Sequence, residues 1–140
     1  MIVLDTNVLS ETFRPLPSVA VMRWMRLQPA ATLFTTAICE AEMFYGIAVL
    51  PSGKRRSSLE KLAVDMFRED LSGRVLPFDS AAARVFADIV AARRKAGRPI
   101  GEYDAQIAAI ARVHGATVAT RDVKDFTDCG VDVVSPWGEL

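Results

Sequence analysis

The sequence predicts an α/β fold in which helices flank a central parallel sheet of four to five strands. Short apolar segments of strand length alternate along the chain with longer segments whose apolar residues recur at helical spacing. Parallel strands joined by helices are covered by those helices on both faces. The 140 residues contain no repeat or linker and are enough for one buried core, which predicts a single domain over residues 1–140.

The first strand is predicted at Ile2–Leu4, a buried apolar segment that ends at an aspartate. Ser18 is a suitable N-terminal cap for a helix over Val19–Leu27, which Pro29 would end. The remaining strands are predicted at Thr32–Thr35, Val75–Phe78, Thr117–Ala119 and Val131–Val134.

Further helices are predicted over Ala37–Leu50, Lys54–Leu71 and Glu102–His114, and a long helix capped by either Asp79 or Ser80 is predicted to end in Arg93–Lys95. The helix at 37–50 is apolar nearly all round, so a neighbouring helix or another chain must cover the side that faces away from the sheet. The helix at 54–71 is amphipathic, and its buried side is predicted to contain Leu59, Leu62, Ala63, Met66 and Phe67. The cation runs Lys54–Arg56 and Arg93–Lys95 are expected to be solvated helix surface.

The composition indicates a protein of a reducing compartment with a partner chain. Basic and acidic residues number 17 each, so no strong electric field points to a nucleic-acid partner, although none is excluded. Apolar residues make up 51% and the mean hydropathy is +0.20, a surplus that is expected to be hidden against another chain. The two cysteines form no disulfide framework, and no signal or membrane-spanning segment is evident, which predicts a cytoplasmic protein without a membrane partner.

Two acids follow predicted strands directly. Asp5 comes after the first strand, and Asp122 closely follows the strand Thr117–Ala119. In parallel α/β sheets, ligands gather beyond the carboxyl ends of the strands, so both acids are candidates for a shared site. The alternative for Asp5 is a cap on the next helix, and for Asp122 a cap on a short helix toward Phe126.

Two further acids are placed by helical geometry. Glu42 shares a helix face with apolar residues, where a lone carboxylate costs several kcal/mol unless it is compensated; Glu40 lies on the far side of that helix. Asp104 lies early in the helix at 102–114. Helical side chains lean toward the N-terminus, so both Glu42 and Asp104 can reach the same edge of the sheet. The alternatives are an arginine partner for Glu42 and a favourable interaction of Asp104 with the positive end of its helix.

Four converging carboxylates predict a cation site. They repel one another and take up protons unless a cation neutralises them. Sites of carboxylate oxygens suit Mg²⁺ or Mn²⁺, and a hydrated ion held beside open space equips a site for phosphodiester hydrolysis. The single histidine, His114, excludes ribonuclease chemistry that needs two histidines, and no serine or cysteine nucleophile motif is present. A dehalogenase-like phosphatase would need a second aspartate where Asn7 stands.

Five segments resemble the PIN-domain toxins of the VapC and FitB group. They are MIVLDTNVLSE, AEMFYG, DAQIAAIA, VATRD and the late dipeptide Pro136–Trp137. The resemblance spans essentially the whole chain and keeps the order of the four acidic motifs. It implies an α/β/α sandwich and a Mg²⁺- or Mn²⁺-dependent endoribonuclease that acts as the toxin of a toxin–antitoxin pair.

The resemblance also implies site residues and partners. The implied metal-site acids are Asp5, Glu42, Asp104 and Asp122, and the implied supporting hydroxyls are those of Thr6 and Thr120. Glu102, in GEYDAQIA, is left open as a further member. The implied partners are RNA, a second copy of the chain, and a small DNA-binding antitoxin that silences the toxin and tethers the complex to operator DNA.

Arg121, beside Asp122, is a candidate for a phosphate contact, since basic residues outnumber the acids that remain once four are assigned to an ion. No aromatic pattern predicts base stacking, so the sequence makes no prediction of RNA preference. The competing function is a weakly active PIN subunit that mainly forms a DNA-binding complex with its antitoxin.

Overall fold

A five-stranded parallel sheet lies at the centre of the computed structural model, which describes residues 1–138. Its strands are β1 Ile2–Leu4, β2 Leu33–Thr36, β3 Val75–Leu76, β4 Thr117–Ala119 and β5 Val133–Val134. Their spatial order is β3-β2-β1-β4-β5, and every neighbouring pair is parallel. Helices flank the sheet, which confirms the predicted fold class.

The helices between these strands are α1 Thr6–Glu11, α2 Val19–Leu27, α3 Ala37–Ala48, α4 Lys54–Asp65, α5 Ser80–Lys95 and α6 Glu102–Val113. Side-chain caps begin several of them: the Ser18 hydroxyl accepts a hydrogen bond at the start of α2, as predicted, and Asp79 does so at the start of α5. Gly97 and Gly115 follow α5 and α6 with φ values of 72° and 63°, a conformation that glycine adopts without strain. Among residues 1–138, none of the helices combines the length and apolar character that crossing a bilayer requires.

Several element boundaries differ from the prediction, for example at the end of α3 and the start of β5, and three of the differences have a clear local description. Strand β2 begins one residue late because Ala30–Thr32 forms a 3₁₀ turn, in which the Thr32 hydroxyl donates to the Pro29 carbonyl at 2.7 Å. Strand β3 stops at Leu76 because the next residue, Pro77, has no N–H for the ladder. Helix α4 does not run on to residue 71 but passes into a π-helical turn at Met66–Asp70.

Two predictions about burial are partly wrong. Ala63, Met66 and Phe67 are buried as expected, but Leu62 of the same predicted face is 48% exposed, because α4 turns this side chain toward an open groove beside α3. Arg93 was expected to be solvated, yet its residue is only 6% exposed. Its guanidinium can be buried because carbonyl oxygens of Arg98, just after α5, and of Asp125 and Thr127 accept its hydrogen bonds.

The strand order places a crevice above the middle of the sheet. From β1 the strand sequence runs to β2 and β3 on one side and to β4 and β5 on the other, so the direction of winding reverses between β1 and β4. Ligand sites of open α/β sheets lie at such a reversal, beyond the carboxyl ends of the strands. Helix α6 packs closely here because its buried residues are mostly alanines and isoleucines.

Candidate active site

A cavity of about 490 Å³ opens at the carboxyl edge of β1 and β4. All four acids predicted from the sequence line it, as do Thr6 and Arg121. The exposed Glu102 is not among the lining residues. The other lining residues are Asn7, Ser10, Glu11, Arg14 and Trp137. The structure therefore brings together side chains that are up to 132 positions apart in the sequence, from three helices and from the segments between elements.

Asp5 lies at the floor of this cavity and is buried. Its Oδ1 accepts a hydrogen bond from the Thr6 N–H at 2.8 Å, so it does cap α1, as one sequence interpretation predicted. Its Oδ2 accepts the Thr120 hydroxyl at 2.7 Å. Capping and membership of the acid cluster are therefore compatible. Burial raises the pKa of Asp5, and its hydrogen bonds with Thr120 and Thr6 oppose that rise.

Glu42 reaches the cavity from the second turn of α3. Its Oε1 accepts the Thr6 hydroxyl at 3.0 Å, and its carboxylate and that of Asp5 place oxygens within 4.8 Å of each other. Burial raises the pKa of Glu42, and the charge of Asp5 raises it further. The arginine partner considered for Glu42 is not found among residues 1–138.

The thiol of Cys39 also lies within 4.8 Å of these two carboxylates. It is fully buried, and burial raises its pKa to about 11, so the sulfur is uncharged at neutral pH. Mg²⁺ and Mn²⁺ prefer oxygen ligands. We therefore assign Cys39 to the packing beneath the site and not to its donor set.

Asp104 lies in the first turn of α6 and is half-buried. Burial raises its pKa to about 6, and the charges of nearby acids, Asp5 foremost, contribute to the rise. The favourable helix-end interaction considered from the sequence would lower this pKa, so burial and repulsion outweigh it. The Asp104 side chain does not cap α6, whose N-cap residue is Gly101.

Asp122 is exposed at the rim of the cavity. The alternative interpretation, a side-chain cap on the 3₁₀ turn Val123–Phe126, is wrong because no such hydrogen bond forms. Its Oδ2 instead accepts the Asn7 side-chain N–H at 3.0 Å, and its backbone N–H donates to the Thr120 hydroxyl at 3.0 Å. Thr120 thus connects Asp122 to Asp5, which supports the prediction that its hydroxyl organises the site.

Sequence reasoning missed Asn7 as a member of this network. Its Nδ2 donates to Asp122 and, at 3.4 Å, to the Thr120 hydroxyl, while its Oδ1 accepts the Arg121 backbone N–H at 3.2 Å. One amide therefore holds the segment after β4 against the start of α1. The motif DTN, in which Asn7 closely follows Asp5, could have indicated this role, but a polar residue in the first turn of a helix is more often part of the cap.

Glu11 and Arg14 form a second feature that the sequence did not reveal. Glu11 is buried, and its Oε2 accepts the Ser18 backbone N–H at 2.8 Å. This bond lowers the pKa of Glu11, helped by the side chain of Arg14, whose Nη1 lies 3.3 Å from Oε1. Arg14 is exposed and lines the cavity, so it supplies a positive charge to the lining that contains the four acids.

The donor set of the cavity fits a hard divalent cation. The pKa values of Asp5, Glu42 and Asp104 are all raised, in each case chiefly by burial and also by a neighbouring negative charge. A doubly charged ion relieves both penalties, since it neutralises the carboxylates where they are crowded. The open volume leaves room for the water ligands that Mg²⁺ usually retains.

Asp104 also sets a pH dependence that metal-free protein should show. Its folded pKa of about 6 lies above the ordinary value of 3.8, so between these values the folded state holds a proton that the unfolded chain does not. That contribution to stability is complete below the unfolded pKa and is lost as the pH rises through about 6. Wild type should therefore gain stability, relative to Asp104→Asn, as the pH is lowered from about 7 to about 4. Urea unfolding of both proteins in a chelator measures this, and parallel pH profiles would contradict it.

Comparison with known proteins places this arrangement in a family. The PIN-domain family model matches residues 2–130. The VapC ribonuclease Y4jK of Sinorhizobium fredii is 44% identical over 98% of both chains, and the toxin FitB of Neisseria gonorrhoeae is 38% identical over 98% of this chain and 99% of its own. A solved structure of FitAB bound to an IR36 DNA fragment superposes with a TM-score of 0.94 at 38% identity, covering 100% of this chain and 98% of that one. The resemblance seen in the acidic motifs is confirmed, and the chain belongs to the PIN-domain family, in the group of the VapC and FitB proteins.

Proposed function

We propose that the protein is a Mg²⁺- or Mn²⁺-dependent endoribonuclease that acts as the toxin of a toxin–antitoxin pair. The observation that carries the proposal is the crowding of Asp5, Glu42 and Asp104 in one open cavity, with the pKa of each raised. The relative Y4jK is named a VapC ribonuclease and FitB is named a toxin, and both match nearly the full chain. The family and the site therefore point to the same chemistry.

In this proposal Asp5, Glu42, Asp104 and Asp122 hold the cation. The bound ion supplies an activated water and stabilises negative charge on the phosphate. Thr6 fixes the Glu42 carboxylate, and Thr120 fixes Asp5 and, through the Asp122 N–H, the segment after β4. Arg121 and Arg14 are the cations of the rim, where they would bind the RNA backbone on either side of the acids.

A groove beside the acid cavity supports a protein partner. It lies between α1, α3 and α4, has a volume of about 810 Å³, and shares Thr6 and Glu42 with the acid cavity. Its walls are largely apolar and include Phe13, Met43, Ile47, Leu50 and Leu59. An antitoxin segment seated in this groove would lie against the acids and block them. The FitAB complex bound to DNA supports the further proposal that such a pair occupies operator DNA through the antitoxin.

The exposed apolar side chains of α3 support the proposed homodimer. Tyr45 in α3 and Val49 just after it are 71% and 63% exposed; of the two covers expected for this helix, a neighbouring helix or another chain, this exposure favours another chain here. A cytoplasmic location completes the proposal, because RNA and an antitoxin bound to DNA are found there.

Cleavage of single-stranded RNA in Mn²⁺ tests the proposal, with Glu42→Gln and Glu40→Gln as the matched pair on one helix. Glu42→Gln should lose at least about 100-fold in cleavage rate, because even residues that only orient metal ligands cost 10- to 100-fold. Glu40, which does not line the cavity, should be replaceable with little change. If wild type leaves the RNA intact while its antitoxin complex binds DNA tightly, the alternative of a weakly active, complex-forming subunit is correct.

A further inference from the structure

We propose that Trp137 and Arg121 form a nucleotide subsite beside the acid cavity, in which the indole stacks on an unpaired RNA base and the guanidinium binds the adjacent phosphate. The inference rests on the proposed ribonuclease function and extends it to the recognition of single-stranded RNA. Sequence analysis found no pattern for base stacking, because the two residues are 16 positions apart and meet only in the fold.

The position of Trp137 is the first argument. It lines the same cavity as the four acids, so a nucleotide that lies on it is next to the site of cleavage. The residue is half-buried, and the preceding Pro136, which comes shortly after β5, is buried. The indole is therefore held in place and partly open, as a stacking surface must be.

The second argument is the pairing with Arg121. The guanidinium carbon lies 5.1 Å from the centre of the indole ring, within the range of a cation–π contact. The Arg121 residue is exposed, while its backbone N–H is held by the Asn7 side chain. Backbone and aromatic contacts thus aim an available positive charge at the cavity that contains Asp122.

The third argument concerns affinity. The formal net charge of the chain is zero, so long-range attraction contributes little to the binding of RNA. Arg14 and Arg121 are the basic residues of the cavity lining. Base stacking on an aromatic ring adds affinity that does not depend on net charge and tolerates any base. A base inside a duplex is stacked on its neighbours, so only an unpaired base is free to reach Trp137.

Binding measured without cleavage tests this inference separately from catalysis. Fluorescence anisotropy of a labelled oligouridine RNA would be followed in Mg²⁺ with Glu42→Gln protein, and compared with the same RNA carrying abasic positions. Adding Trp137→Ala should weaken binding of the normal RNA by about tenfold or more and of the abasic RNA by much less. Trp137→Phe should retain most of the affinity. Tyr103→Ala removes an exposed aromatic ring outside the cavity lining, so it should leave the affinity for both RNAs unchanged.

The phosphate contact has its own signature. Arg121→Gln should weaken normal and abasic RNA alike and reduce the slope of log affinity against log salt by about one. The subsite proposal would be overturned if Trp137→Ala reduced the affinity for normal and abasic RNA equally, or if Glu42→Gln protein bound neither RNA. Either result would count even if wild type cleaves RNA. Base-dependent binding through Trp137 in a protein that never cleaves would leave the subsite standing and remove the nuclease function.

Discussion

Replacing Asp5 with asparagine is expected to reduce RNA cleavage by more than about 100-fold and to abolish stabilisation by Mg²⁺, while metal-free protein stays at least as stable as wild type. The carboxylate is buried near Glu42 and its pKa is raised, so its charge costs folding energy when no cation is bound. Asparagine removes that charge but keeps an oxygen that can accept the Thr6 N–H, and it caps helices as well as aspartate does.

Thermal unfolding with and without Mg²⁺, together with a cleavage assay, measures both parts of this prediction. Asp5→Ala is the control, because it removes the cap as well as the charge and should cost about 1 kcal/mol in metal-free protein relative to Asp5→Asn. If Asp5 acted only as a cap, Asp5→Asn would keep both its metal-free stability and its stabilisation by Mg²⁺, and only Asp5→Ala would be destabilised, equally with and without metal.

Replacing Arg93 with methionine is expected to destabilise the protein by about 3 kcal/mol. Hydrogen bonds of a charged donor contribute about 1.5–3 kcal/mol each, and water can replace part of the loss because the three acceptor residues are exposed. The Arg93 Nε donates to the Arg98 carbonyl at 2.7 Å, and Nη1 donates to the carbonyls of Asp125 and Thr127 at 3.0 and 2.9 Å. Methionine fills a similar volume but has no hydrogen-bond donor. The decrease in the free energy of unfolding therefore measures the lost hydrogen bonds more than lost packing.

The neighbouring Arg94 provides a matched control for this substitution. It lies on the same turn of α5 but is exposed, so Arg94→Met should change the free energy of unfolding by less than about 0.5 kcal/mol. Urea unfolding of the two variants separates the predictions. Similar free energies of unfolding for the two variants would mean that the hydrogen bonds of Arg93 stabilise the fold little more than its hydrogen bonds to water stabilise the unfolded chain.

Periodicity and end signals were enough to predict the parallel sheet, and the placement of Asp5 and Asp122 after strands was enough to predict where acids would gather. These features are local, since strand ends and helix faces follow from a few neighbouring residues. The burial of Arg93 was not predictable in this way. Its acceptors at residues 125 and 127 lie more than 30 positions away, and nothing near a run of three cations reveals them.

The site shows the same division. Thr6 and Glu42 were predicted from motifs, but the hydrogen bond that joins them connects two helices and is visible only in the fold. Asn7 was missed because an amide at a helix start is more often part of the cap, and the contact of Trp137 with Arg121 was not visible because the two residues are 16 positions apart. In the folded chain Asn7 lies beside Asp122 and Trp137 lies beside Arg121, and neither pair can be identified from the neighbouring sequence.

The central position of β1 has a consequence for synthesis on the ribosome. Asp5 is among the first residues translated, yet the hydroxyl that orients it belongs to Thr120, 115 positions later. At elongation rates of about 5–20 residues per second, this interval lasts about 6–23 s. Until residue 104 is made, the nascent polypeptide holds Asp5 and Glu42 without the other two acids, so the proposed cation site cannot assemble before the segment after β4 has been translated.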